Sequence, residues 1–214
     1  MLTVKRFIFN PIQENTYVLY DGKDACCIID PGCYFPKEKE TLESWLKDQQ
    51  LVPKLLLNTH CHLDHVFGNK WVAHKYGLQL QFGENEQPTF DFAPRSAEQW
   101  GMPFEQYSGE IVYLGEGDHI LIGKDELEVL FTPGHSVGHV VYYNRAEGFI
   151  IGGDVLFRLG IGRTDIPGGD SETLLKSIRK KLFTLPSETI VYPGHGEPTT
   201  IGYEKEYNPF LRSE

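Results

Sequence analysis

The chain opens with short runs of apolar and β-branched residues, 3–9, 16–20 and 25–30, set between polar positions. They predict an opening meander of strands, with Asp21-Gly22 as the turn signal between the last two. Cys26 and Cys27 sit inside the third run. Adjacent strand residues face opposite sides, so both are expected in the core. After Pro36, residues 37–50 place Leu42, Trp45 and Leu46 three and four apart with charges between, the spacing of an amphipathic helix. Leu55-Leu56-Leu57 then reads as a buried strand, and His74 falls in a following helical stretch.

Residues 83–118 scatter Pro, Gly and aromatics without a sustained period, and are expected to be loops with at most one short helix. Strands return at 120–122, 127–132, 139–143 and 149–151, followed by a helix over 170–182 and a last strand at 190–192. This order predicts an α/β fold of two helix-flanked sheets rather than a regular βαβ alternation, and leaves room for two similar halves. No low-complexity tract or linker divides the chain, so one domain over 1–214 is expected.

Composition narrows the function classes. The 214 residues are 40% hydrophobic and 23% charged, enough to bury a substantial core. Lys plus Arg number 20 against 30 Asp plus Glu, a net charge of −10, which disfavours a nucleic-acid partner. The amino-terminal residues lack an apolar run behind a basic start, and no later stretch has the length of a membrane span. The expectation is a soluble, unexported, cytoplasmic protein. Its four cysteines, Cys26, Cys27, Cys33 and Cys61, are too few and too clustered for a disulfide framework.

The chemistry concentrates in Thr59-His60-Cys61-His62-Leu63-Asp64-His65, directly after the predicted strand at 55–58. His60 and His62 alternate, and so project to one side of a strand end, while Asp64 and His65 follow on the turn. Imidazole and carboxylate together suit zinc, iron or manganese. Four donors cannot complete two coordination spheres, but His135, Asp154 and His195 offer more, each at a strand exit beside glycine.

On these residues the chain resembles the metallo-β-lactamase-fold hydrolases, and within them the glyoxalase II branch and its small relatives. The pattern Thr-His-x-His-x-Asp-His stands at 59–65, and the family's later ligands correspond to His135, Asp154 and His195. The resemblance implies an αβ/βα sandwich of two mixed sheets. It implies two divalent metal ions, zinc first and iron or manganese next. His60, His62 and His135 would hold one and Asp64, His65 and His195 the other, with Asp154 bridging. The implied activity is hydrolysis of a small acyl-thiol of hydroxyacylglutathione type, with Asp64 also orienting the nucleophile or receiving its proton.

The resemblance has identifiable departures. The helical extension with which glyoxalase II grips glutathione has no counterpart in the short stretch after His195. Asp165 and Glu197 stand where that family has an aromatic and a tyrosine. Gly160-Ile161-Gly162-Arg163 keeps the Gly-x-Gly-basic segment, so Arg163 is the candidate for a substrate carboxylate, with an ion pair to Asp165 as its structural alternative. The run Gly162-Arg163-Thr164-Asp165 also resembles persulfide dioxygenases, in which His60, His135 and Asp154 would hold a single iron. Cys61, between two ligands, is expected to point away from them, and His139 to support a ligand or carboxylate. Phe90, Phe92, Trp100 and Phe104 offer apolar surface to the core or to a ligand.

Overall fold

Strand β1 (Thr3–Phe9) pairs antiparallel with β2 (Glu14–Tyr20), which pairs antiparallel with β3 (Ala25–Ile29), as the opening meander predicts. The coordinates are a computed structural model that describes residues 1–22 and 25–212. Strands β4 (Val52–Leu57), β5 (Leu80–Gly83) and β6 (Ile111–Leu114) extend this first sheet in parallel, in the order β1-β2-β3-β4-β5-β6. Parallel neighbours need crossovers, and helices supply them. Helix α1 (Pro36–Asp48) precedes β4, α2 (Leu63–Val66) and α3 (Asn69–Tyr76) precede β5, and α4 (Gln87–Trp100) precedes β6.

The rest of the chain makes a second six-stranded sheet. It comprises β7 (His119–Ile122), β8 (Asp125–Phe131), β9 (Val140–Asn144), β10 (Phe149–Gly153), β13 (Ile190–Pro193) and β14 (Thr199–Thr200). Their order is β14-β13-β10-β9-β8-β7, with only the β10–β13 pair parallel. Between β10 and β13 lie a two-stranded hairpin, β11 (Leu156–Phe157) with β12 (Gly160–Ile161), and helix α5 (Ser171–Lys180). Asp170 caps α5 by accepting from the Thr173 N–H at 2.7 Å. Helix α6 (Ile201–Tyr207) follows β14.

The two sheets pack face to face through Tyr17, Leu19, Cys27, Ile29 and Leu57 on one side and Leu127, Val129, Val140, Tyr142 and Ile151 on the other. The outer face of the first sheet packs on the helices through Val18, Cys26, Ile28 and Leu56 with Leu42, Leu46 and Phe90. That of the second packs through Val141, Ile150 and Val191 with Leu174, Ile178 and Ile201. The result is the αβ/βα sandwich of two mixed sheets. Cys26 and Cys27 enter different layers, as strand alternation requires, and all four cysteines are buried and free. Among the described residues, no helix is long and apolar enough to cross a membrane.

The middle of the chain departs from expectation. Residues 83–118 contain a fourteen-residue helix, α4, and a strand, β6, where loops and at most one short helix were expected. Pro88 lies in the first turn of α4, where its missing N–H is not needed, but Pro94 lies inside the helix. The carbonyl that Pro94 cannot bond is that of Phe90, and Gln106 Nε2 donates to it at 2.8 Å. A side chain from beyond the helix thus replaces the lost bond. His74 lies on α3 and is exposed, as read.

Candidate metal centre

The donors meet at one edge of the sandwich because each follows a strand that ends there. His60 and His62 follow β4, His135 follows β8, Asp154 follows β10 and His195 follows β13. Asp64 and His65 lie on the one-turn helix α2 rather than on an open turn; the His65 N–H donates to the His62 carbonyl at 3.1 Å. Close approach of the strand exits depends on glycine. A Cβ on Gly194 would overlap Asp154 Oδ1 and lie 2.7 Å from His65 Cε1.

All seven predicted donors converge. The donor atoms of His60, His62 and His135 lie within 4.8 Å of one another, and so do those of Asp64, His65 and His195. Asp154 stands between the sets: Oδ2 is 3.6 Å from both His135 Nε2 and His195 Nε2, and Oδ1 is 3.5 Å from His65 Nε2. His62 Nδ1 and His135 Nε2 face each other at 2.8 Å, and Asp64 Oδ2 is 3.0 Å from His195 Nε2.

The residues fit metal cations on their own terms. His60 Nε2, His65 Nε2 and Asp154 Oδ1 are buried and have no hydrogen-bond partner, a costly arrangement unless something else uses their lone pairs. The far sides of the rings are provided for. His135 Nδ1 donates to the Arg163 carbonyl at 2.8 Å and His60 Nδ1 is 3.1 Å from Thr59 Oγ1, whereas His65 Nδ1 makes no hydrogen bond and faces the Asp30 carboxylate at 3.2 Å. Such partners turn the opposite nitrogen toward the cluster.

Electrostatics agree with that assignment. Burial, reinforced by neighbouring histidines, holds His60 well below the ordinary imidazole range and His62 at about 3, so both are neutral with a lone pair to offer. Burial alone would raise the Asp154 carboxyl, but His65, His195 and His135 more than offset it and keep the group ionised. Burial likewise opposes charge on His65, yet Asp64 and Asp154 draw its pKa well above normal. Carboxylates here attract positive charge.

Several supporting residues were not legible from the sequence. Asp30 accepts from the Thr59 N–H at 2.7 Å, the Thr59 hydroxyl at 2.6 Å and Asn58 Nδ2 at 3.1 Å, fixing the loop that carries His60. The signal for it existed: Asp30-Pro31-Gly32 follows a strand, as the other donors do. Glu86, fully buried, accepts from the Cys61 N–H at 3.0 Å, the Ser136 hydroxyl at 3.0 Å and the Gly138 N–H at 2.7 Å. It ties the His60–His62 loop to the loop after His135, and lies in the stretch without periodicity. His139 accepts from the Asp154 N–H at 3.1 Å and stacks on His60 at 4.9 Å, the supporting role expected of it.

Arg163 lines the cleft over the cluster, but its side chain, 63% exposed, bonds Asp165 at 2.8 and 3.0 Å. Its carbonyl, not its guanidinium, orients His135. Cys61 packs into the helix-facing core and belongs to neither donor set. Of the four aromatics, Phe90 and Phe104 pack with the core, whereas Phe92 and Trp100 line the cleft.

This fold with this edge-on donor cluster defines a class of metal-dependent hydrolases. The family model for the metallo-beta-lactamase superfamily matches residues 9–195, and the chain belongs to that superfamily. It is 41% identical over 208 residues to a probable metallo-hydrolase, YqgX of Bacillus subtilis, covering 97% of this chain and 96% of that one. It is 38% identical over 205 residues to hydroxyacylglutathione hydrolase GloC of Haemophilus influenzae, covering 94% of each. The solved structure of TTHA1623 in a di-iron-bound form superposes with a TM-score of 0.88 at 36% identity, covering 97% of this chain and all of that one.

Proposed function

We propose that the protein is a dinuclear metal-dependent thioesterase of glyoxalase II type, acting on a small acyl-thiol in the cytoplasm. The observation that carries this reading is the second donor set, Asp64, His65 and His195, gathered beside His60, His62 and His135 with Asp154 between them. A mononuclear iron dioxygenase would need only His60, His135 and Asp154. It would leave four converging donors without a purpose. The likeness to a hydroxyacylglutathione hydrolase supports the hydrolytic reading.

Five imidazoles and two carboxylates suit zinc, and iron or manganese equally by donor type; the di-iron relative favours keeping iron in view. Bound divalent cations would supply Lewis acidity, acidifying water and polarising a carbonyl. The chain's own residues do the remainder. Asp64 lines the cleft, and in this reading its carboxylate would receive the proton released as water attacks. His195, half open to the cleft, lies 3.0 Å from Asp64 Oδ2 and holds the carboxylate in position. A thiolate whose conjugate acid has a pKa of about 8.5 leaves without a dedicated acid. The acidic surface makes a nucleic-acid partner unfavourable.

The test combines metal analysis per chain with two assays, hydrolysis of S-lactoylglutathione and oxygen uptake with glutathione persulfide. Two metals and thioester cleavage support the proposal. One iron with oxygen consumption replaces it by the dioxygenase.

A further inference from the structure

The cleft over the donor cluster encloses about 620 Å³, and its wall is apolar. Helix α4 lines it through Phe92, Ser96 and Trp100, and the β11–β12 hairpin through Phe157 and Ile161. Helix α4 already buries Phe90, Ala93 and Ala97 in the interior, so the Phe92 and Trp100 side chains on its cleft-facing side, among Thr89, Ser96 and Gln99, are not required for packing. Yet Trp100 is 54% exposed there. Large apolar side chains left open around a concave site mark a surface built for a ligand.

Charge is nearly absent from this wall. Outside the candidate metal donors, Arg163 is the one charged residue lining the cleft among the described residues, and its guanidinium bonds Asp165. Arg95, on α4, lies 5.7 Å from the Phe92 ring centre but does not line the cleft. Among the described residues, a conjugate bearing several carboxylates would therefore find one cation along the wall, shared with Asp165, and would be desolvated against Phe92, Trp100 and Phe157.

Resting on the thioesterase reading, we propose that the site selects thioesters with an uncharged apolar arm, several carbons long, lying between α4 and the β11–β12 hairpin. The arm can belong to the acyl or the thiol side, and substrates distinguish the two. Thioesters of N-acetylcysteamine are lengthened from acetyl to octanoyl, and acetyl thioesters from ethanethiol to octanethiol, with kcat/KM measured on zinc-loaded protein beside S-lactoylglutathione.

Each methylene that becomes buried is worth up to about fourfold. One series should therefore rise by roughly tenfold or more, its best member should exceed S-lactoylglutathione, and Phe92→Ala or Trp100→Ala should flatten the rise. Binding is read separately by tryptophan fluorescence with non-hydrolysable ethyl and octyl thioethers of N-acetylcysteamine. The octyl compound should bind more tightly, and the signal should be lost in Trp100→Phe. Flat series on both sides, or a tenfold preference for S-lactoylglutathione, overturns the proposal. So does thioether binding that weakens as protein concentration rises, which would mean that a second copy covers α4. If no thioester is cleaved but thioether binding still follows chain length, the assigned reaction fails and the apolar specificity stands.

Discussion

Glu86 carries a carboxylate into the protein interior, where burial, partly offset by its donors at Cys61, Ser136 and Gly138, pushes its pKa from the ordinary 4.5 to about 7. The folded state therefore holds this proton more tightly than the unfolded chain. Its contribution to stability is full below pH 4.5 and is lost as pH rises through about 7, by about 3 kcal/mol in all. Urea unfolding of wild type and Glu86→Gln from pH 4 to 8 should show the difference between them shifting against the wild type by that amount. A difference independent of pH would contradict the assignment. Arg163 gives the opposite expectation. Because its carbonyl bonds His135, a substitution to Ala retains that contact, and an exposed ion pair adds little. Arg163→Ala should leave metal affinity within about twofold of wild type, measured by competition with a chromophoric chelator. A tenfold loss would show that the guanidinium matters to the centre.

At the scale of elements, α4 shows why part of the fold was hidden. Patterns of period two and three to four located nine of the fourteen described strands and the helices around Leu42 and Leu174, each of which presents one apolar stripe to one layer. Helix α4 also has an inward stripe, Phe90, Ala93 and Ala97, but Pro94 inside it reads as a breaker. Its cost is met by Gln106, which lies outside any window that would be read with the helix. The metal donors, in contrast, were legible because six consecutive positions carry four of them. Asp30 and Glu86 were not, since a lone carboxylate shows its purpose only when its partners are assembled. Removing Gln106 should leave the buried Phe90 carbonyl unpaired. Gln106→Ala should then cost about 1–2 kcal/mol by chemical denaturation, and much less in a Pro94→Ala background, where a backbone N–H returns. Equal costs in both backgrounds would rule out this compensation.

For the whole molecule, the centre acts as a clasp. His60, His62, Asp64 and His65 come from the first sheet's side, and His135, Asp154 and His195 from the second's. Other polar contacts cross there as well, among them Tyr17 Oη donating to the Pro193 carbonyl at 2.7 Å, Tyr142 Oη to that of Asn58 at 2.7 Å, Asn15 Nδ2 to that of Pro193 at 2.9 Å, and the bonds that Glu86 accepts from Ser136 and Gly138. Removing cations leaves Asp64 and Asp154 close together and several buried nitrogens unpaired. Exhaustive chelation should lower the melting temperature by roughly 10 °C, recovered on adding zinc. A melting temperature unmoved by chelation would show that the donors hold no tightly bound ion.

The division of donors between the two sheets also orders events during synthesis. A ribosome releases residues 60–65 while the second sheet is still unmade, so the nascent chain presents an incomplete chelate to the cell. An ion met at that stage would lack the carboxylate of Asp154. The full donor set is assembled only when β13 takes its place beside β10, delivering His195.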